Sequence, residues 1–138
     1  YNIMIRGRID GLFFDRIPLE LKSIEKMEYY SRREGRKVPV ELPREDNIMQ
    51  LMIYLGLLKA DFGFLLYISP SFVIRGFRID FNLDLYGQII RRILALHNYL
   101  VDDKLPPAEA LKNPNMRWQC RFCEFREKCW RLEGISRC

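Results

Sequence analysis

Polar and apolar positions alternate twice near the start of the chain and then change period. From Ile3 to Asp10, Ile3, Ile5, Gly7 and Ile9 share one parity and Met4, Arg6, Arg8 and Asp10 the other. From Ile17 to Lys22, Ile17, Leu19 and Leu21 alternate with Pro18, Glu20 and Lys22. Successive strand side chains leave on opposite faces, so the pattern predicts two strands joined by a turn over Gly11–Arg16. A charge-rich stretch follows, Ile24 to Glu45, broken by Gly35, Pro39 and Pro43 and without sustained period; it is expected to be a long exposed connection. Ile48, Leu51, Met52, Leu55 and Leu58 are then spaced for one helix face, with Asp46 or Asn47 as N-cap, an end near Ala60 and Gly56 allowing a close approach.

The continuous apolar run Phe62–Ser69 fits a strand buried on both faces. Ser69-Pro70-Ser71 marks a turn, and Phe72–Phe81 a further strand with a bulge expected at Arg75-Gly76. Tyr86, Ile89, Ile90, Ile93, Leu96, His97 and Leu100 repeat at helical spacing, predicting a long amphipathic helix from Leu83 to Asp102. His97, the sole histidine, falls on that stripe, where packing explains it better than ligation. Lys104–Trp118, with three prolines, reads as a surface connector. The order is β-β-α-β-β-α with a cysteine-rich tail, hence an α/β or α+β fold: a mixed sheet flanked by helices. The expected division is a core over 1–104 and a cysteine-rich tail over 105–138.

Composition narrows this picture. At 138 residues, 49% of them hydrophobic, the chain can bury a core without staples. Its net charge of +5 fits a polyanionic partner only loosely. No apolar run reaches a membrane span and no secretory leader is visible, so a cytoplasmic setting is expected. The chain opens at Tyr1 directly into a strand pattern, which leads us to expect a preceding segment. All four cysteines, Cys120, Cys123, Cys129 and Cys138, fall in the tail. A disulfide framework spreads its cysteines more widely, so metal or cluster ligation is the better reading.

Two groupings carry chemistry. If Asp10 lies across the sheet from Glu20, roughly 5 Å away, then Asp10, Glu20 and Lys22 gather on one rim. Two carboxylates with the Leu21 carbonyl suit Mg²⁺ or Mn²⁺, which take oxygen ligands and keep several waters. Lys22 would orient the attacking water or stabilise developing negative charge. A lone E-x-K is by default a surface salt bridge; the added aspartate and the strand parity raise it above that. Gln50 and Tyr54, four apart, share a helix face. Arg32, Arg33, Arg36 and Lys37, beside Tyr29 and Tyr30, form the most basic stretch and are the expected DNA-binding arm, or else a solvated loop. In the tail, Cys120-x2-Cys123-x5-Cys129 lets one turn present two thiolates to one centre, whether iron–sulfur or zinc.

G-R-I-D at Gly7–Asp10 followed by E-L-K-S at Glu20–Ser23 resembles the D…E-x-K core of the PD-(D/E)xK, restriction-endonuclease-like nuclease superfamily. Gln50-xxx-Tyr54 resembles the Q-x-x-x-Y motif of its RecB-like branch. The run W-Q-C-R-F-C-E-F-R-E-K-C resembles the cluster motif of the CRISPR-associated RecB-like iron–sulfur exonuclease family (Cas four). The resemblance spans Gly7 to Cys129. It implies a restriction-endonuclease-like fold, catalytic Asp10, Glu20, Lys22, Gln50 and Tyr54, and a [4Fe–4S] cluster, with zinc as the alternative. It implies an exonuclease acting on single-stranded DNA ends, trimming CRISPR spacers alongside integration proteins. The chain departs from the family in two places. No cysteine precedes Cys120, so the fourth cluster ligand is either upstream or Cys138, and the upstream histidine that often precedes the motif is absent. The other readings are the nuclease domain of a repair or replication helicase–nuclease, and a non-catalytic nucleic-acid-binding module.

Overall fold

The computed structural model describes residues 3–31, 36–114, 116–132 and 134, and of residues 29–31, 36–38 and 132 the backbone alone. The chain divides into two compact units, Tyr1–Ala95 and Leu96–Cys138.

The first unit is built on a four-stranded mixed sheet in the order β1-β2-β5-β6. β1 (Gly11–Phe13) pairs antiparallel with β2 (Ile17–Ser23), which pairs parallel with β5 (Phe62–Ile68). β6 (Ile74–Asp80) closes the sheet antiparallel to β5. The parallel step needs a crossover, and it contains a hairpin of β3 (Glu28–Ser31) and β4 (Arg36–Pro39), then helix α1 (Glu45–Leu58). A long exposed connection was expected over Ile24–Glu45, with no strand in it; the β3–β4 pairing corrects that. Of the basic stretch, Arg32 and Arg33 lie outside the described residues, and Arg36 and Lys37 are placed only as backbone of β4.

The core lies where α1 and the first part of helix α2 (Leu83–Val101) cover one face of the sheet. Leu51, Met52 and Leu55 of α1 pack with Leu65 and Tyr67 of β5 and Ile89 of α2; full burial of an aliphatic side chain contributes about 1.5–3 kcal/mol. Gly56 is where α1 and α2 approach, since a Cβ there would come 2.2 Å from Tyr86 Cε2. β5 is buried at Gly63, Leu65 and Tyr67 and half-buried at Phe62, Phe64, Leu66 and Ile68. One of its faces is therefore covered, not the two that its apolar run predicted.

Other boundaries differ for identifiable reasons. The predicted first strand, Ile3–Asp10, is not a strand; pairing starts at Gly11, and Phe14 and Asp15 form the turn with φ of 50° and 58°. The Arg16 N–H bonds the Phe13 carbonyl at 3.4 Å around this left-handed pair, and three residues separate the paired Phe13 and Ile17. Helix α1 begins after Arg44, without a side-chain cap bond. Neither predicted cap is free to act: Asp46 holds the Arg44 guanidinium, and Asn47 Nδ2 donates to the Tyr67 hydroxyl at 2.8 Å. The expected bulge at Arg75-Gly76 is absent, because the β5–β6 register runs unbroken from Phe62↔Asp80 to Ile68↔Ile74. β6 also starts two residues later than predicted. Ser69 to Phe72 closes a turn through a Phe72 N–H bond to the Ser69 carbonyl at 2.9 Å, and Phe72 adopts φ 57°. A left-handed residue after such a turn favours glycine, and a side chain there costs about 1–2 kcal/mol.

In the second unit, the connector contains helix α3 (Glu109–Lys112), and the cysteine run occupies a 3₁₀ segment, Arg117–Phe122, and helix α4 (Arg126–Leu132). Among the described residues no helix is long and apolar enough to cross a membrane.

Candidate active site

The site forms at the carboxyl end of β2, beneath α1. Pro18, Glu20 and Lys22 share the sheet face that α1 covers, so the charged parity of the strand points inward: Glu20 is 2% exposed and Leu21, on the opposite face, 38%. A buried carboxylate must be paired and hydrogen-bonded to be tolerated, and three side chains share that task. Glu20 Oε1 accepts from Lys22 Nζ at 2.6 Å and from Gln50 Nε2 at 2.6 Å. Gln50 turns its own carbonyl to Lys22 Nζ, 2.7 Å away, and its amide also donates to the Tyr54 hydroxyl at 3.3 Å. The amide orientation follows from charge, with oxygen facing the ammonium and NH₂ the carboxylate. Gln50 and Tyr54 come together because they are one helical turn apart.

Tyr54 ties this cluster to the segment before β1. Its hydroxyl donates to the Arg8 carbonyl at 3.0 Å. Gly7 makes that approach possible: a Cβ there would lie 2.9 Å from Tyr54 Cε1 and 3.1 Å from its hydroxyl oxygen. The glycine of G-R-I-D is thus a packing residue for the tyrosine of the helix, a link the sequence pattern did not reveal. Its only signal was a lone glycine among alternating residues.

Asp10 sits one residue before the paired part of β1. The ladder runs Phe13↔Ile17, Leu12↔Pro18, Gly11↔Leu19, and one further step would oppose Asp10 to Glu20. There the carboxylate takes the place of the strand: Asp10 Oδ2 accepts the Leu21 N–H at 2.8 Å. The N–H and C=O of one strand residue leave on the same edge, so the Leu21 carbonyl faces the Asp10 side, past the end of β1.

Glu20 Oε2 tests whether these residues suit a cation. It is buried and has no hydrogen-bond partner among the described residues. An anionic oxygen left unpaired is costly, and a hard cation is the partner its chemistry fits. Asp10, Glu20 Oε2 and the Leu21 carbonyl are the oxygens that would hold it. Two carboxylates are fewer than the donors of a dedicated cage, and among the described residues no three of His, Cys, Asp and Glu gather as metal ligands.

The cysteines are placed as follows. Cys120 is half-buried in the 3₁₀ segment, Cys123 is exposed at its end, and Cys129 is half-buried in α4; Cys138 lies outside the described residues. Close to them in sequence, Arg126 Nε and Trp130 Nε1 are buried without hydrogen-bond partners among the described residues, and the Arg126 guanidinium lies 5.1 Å over the Trp130 ring. Unsatisfied N–H donors are what the sulfurs of a metal–thiolate or iron–sulfur centre accept. His97 is half-buried on α2.

No family model matches the chain, and no curated protein matches it. Among solved structures, the chain is similar to the crystal structure of SSO0001, with 28% sequence identity and a TM-score of 0.51. The match covers 86% of this chain and 47% of that one, so the chain spans about half the length of the protein it resembles.

Proposed function

We propose that the chain is the core of a divalent-metal-dependent DNA exonuclease of restriction-endonuclease-like fold. One observation carries the reading: a buried carboxylate, Glu20, whose Oε1 is held by Lys22 and Gln50 and whose Oε2 has no partner among the described residues. A structural salt bridge would satisfy both oxygens; this one keeps an anionic oxygen in reserve while Lys22 and Gln50 hold the other. Mg²⁺ or Mn²⁺, when bound, supplies an activated water and neutralises phosphate charge.

The chain's own residues do the rest. Lys22, 27% exposed, reaches solvent from the cluster and offers positive charge to a phosphate oxygen or to the nucleophile. Gln50 fixes both Glu20 and Lys22, so neither can rotate without breaking a bond to the other's partner. Tyr54 braces Gln50 against the Arg8 main chain and so sets how closely the Asp10 segment approaches. Arg32, Arg33, Arg36 and Lys37 are the proposed backbone-tracking arm. Cys120, Cys123 and Cys129, with Cys138 or an upstream cysteine, are the proposed ligands of a [4Fe–4S] cluster; the two buried donors Arg126 Nε and Trp130 Nε1 support a sulfur-rich neighbour. The resemblance of the cysteine run to the cluster motif of the CRISPR-associated RecB-like exonucleases implies single-stranded DNA ends as substrate and spacer trimming as setting, with integration proteins as partners.

Digestion of a 3′- or 5′-labelled single-stranded oligonucleotide with Mg²⁺ or Mn²⁺ tests this. Wild type should cut and Lys22→Ala should not; equal rates for the two would overturn the site assignment.

A further inference from the structure

The turn between β5 and β6 stands at the same end of the sheet as the site. β2 and β5 run parallel with Lys22 opposite Tyr67 and Ser23 opposite Ile68, so the turn begins one residue beyond the level of Ser23. Between them lies a cleft of about 560 Å³, with Leu21, Ile24, Ile68 and Pro70 as apolar walls and Lys22, Ser23, Glu25 and Ser69 as its polar lining. Clefts beyond the carboxyl ends of parallel strands are where open α/β sheets bind ligands. Lys22 belongs to both places: its ammonium holds Glu20, and the residue is among those that line the cleft.

The turn is firmly built. Ser69 N–H donates to the Val73 carbonyl at 3.0 Å, Val73 N–H to Ser69 Oγ at 3.2 Å, and the Ser69 and Ser71 hydroxyls bond at 2.8 Å. Pro70 restricts it further. At its tip is Phe72, 86% exposed and in the left-handed region at φ 57°. Burial offsets neither the strain nor the exposure of this ring, and a glycine or asparagine would occupy the position more easily. A strained residue held by its surroundings, with nothing local to gain, points to a role in binding. Phe14 is also exposed, at 76%, with a positive φ, but it sits in the β1–β2 turn at the opposite end of the sheet and leans on Phe13, ring centroids 4.5 Å apart.

We propose that Phe72 and the cleft at the foot of its turn form a stacking subsite for an unpaired nucleobase of the DNA strand cleaved at Glu20 and Lys22. This rests on the nuclease reading above. A flat ring on a rigid turn offers any base a face, which suits a sequence-tolerant enzyme. The ammonium of Lys22 takes phosphate while the apolar walls take base, so the two halves of one nucleotide find opposite chemistries in adjoining places. A base within a duplex is already stacked and paired, so the subsite selects single strands.

Anisotropy of a fluorescein-labelled single-stranded oligonucleotide, with Ca²⁺ replacing the catalytic ion, tests it on the full chain. Phe72→Asn, which suits the left-handed backbone, should weaken binding about tenfold and melt no lower than wild type. Phe72→Tyr and Phe14→Asn should bind as wild type. Abasic oligonucleotides should bind wild type and Phe72→Asn alike. Unchanged binding by Phe72→Asn, or equal loss toward single strands and duplex, would overturn the subsite. So would a change in oligomeric state with DNA binding unchanged, which would make the turn a protein-docking edge. Cleavage by the same wild-type preparation with Mn²⁺ keeps the two claims separate: cutting without dependence on Phe72 defeats the subsite alone, and no cutting defeats the nuclease reading.

Discussion

Removing Lys22 should harm the fold far more than neutralising Glu20, although both changes break the same ion pair. Lys22→Met keeps most of the side chain's apolar length but leaves a carboxylate that is 2% exposed with one neutral donor, Gln50, on Oε1 and none on Oε2. Stripping one partner from a buried pair costs about 3–5 kcal/mol. Because Lys22 is 27% exposed, water can enter where it stood, and about 2–3 kcal/mol is the expected loss. Glu20→Gln removes the buried charge itself and leaves an ammonium that can turn to solvent, so a change within about 1 kcal/mol is expected. The double variant should resemble Glu20→Gln, a coupling of about 2 kcal/mol. Urea unfolding in chelator, read as midpoints at constant slope, measures all three. A Glu20→Gln variant less stable than Lys22→Met would refute the reasoning, since it would mean that the carboxylate is no burden to the fold.

Two further outcomes follow from the geometry. Gly7→Ala should push the Tyr54 ring from the Arg8 carbonyl, since its Cβ would lie 2.9 Å from Tyr54 Cε1; a stability loss of about 1–3 kcal/mol and a fall in cleavage should accompany each other, and activity equal to wild type would remove Gly7 from the site. Anaerobically purified protein should absorb broadly in the visible, and Cys120→Ala should bleach it; a colourless protein with stoichiometric zinc would replace the cluster by a zinc site.

Much of the fold was legible because periodicity reports burial. The alternation over Ile17–Lys22, the apolar run from Phe62 and the helical stripe from Leu83 each became the element expected. Boundaries set by a single side chain were not legible. The start of α1 depends on Tyr67, whose hydroxyl takes both the Arg44 N–H and the Asn47 amide, each at 2.8 Å, from a strand twenty residues later. Local cap preferences carry no trace of that contact. The hairpin inside Ile24–Glu45 has no clear alternation because it pairs only with itself among the described strands.

The site was half visible. Spacing alone placed Glu20 and Lys22 on one face and Gln50 and Tyr54 on one helix turn. It did not reveal that the charged face is the covered one, because a strand pattern fixes which residues share a face and not what packs on it. Asp10 was expected within a strand pair; its carboxylate instead caps the end of the ladder on the Leu21 amide. Phe72 was read as part of a strand; its left-handed backbone and its N–H bond to the Ser69 carbonyl show it to be a turn residue.

The most direct test of the central claim is calorimetric titration of the chelator-treated protein with Mn²⁺, comparing wild type, Glu20→Gln and Lys22→Ala. The account predicts binding by wild type, loss of at least about tenfold in affinity in Glu20→Gln, and retained binding in a Lys22→Ala variant that no longer cuts DNA. Equal Mn²⁺ affinity in wild type and Glu20→Gln would contradict it, because the unpartnered oxygen of Glu20 would then hold no metal.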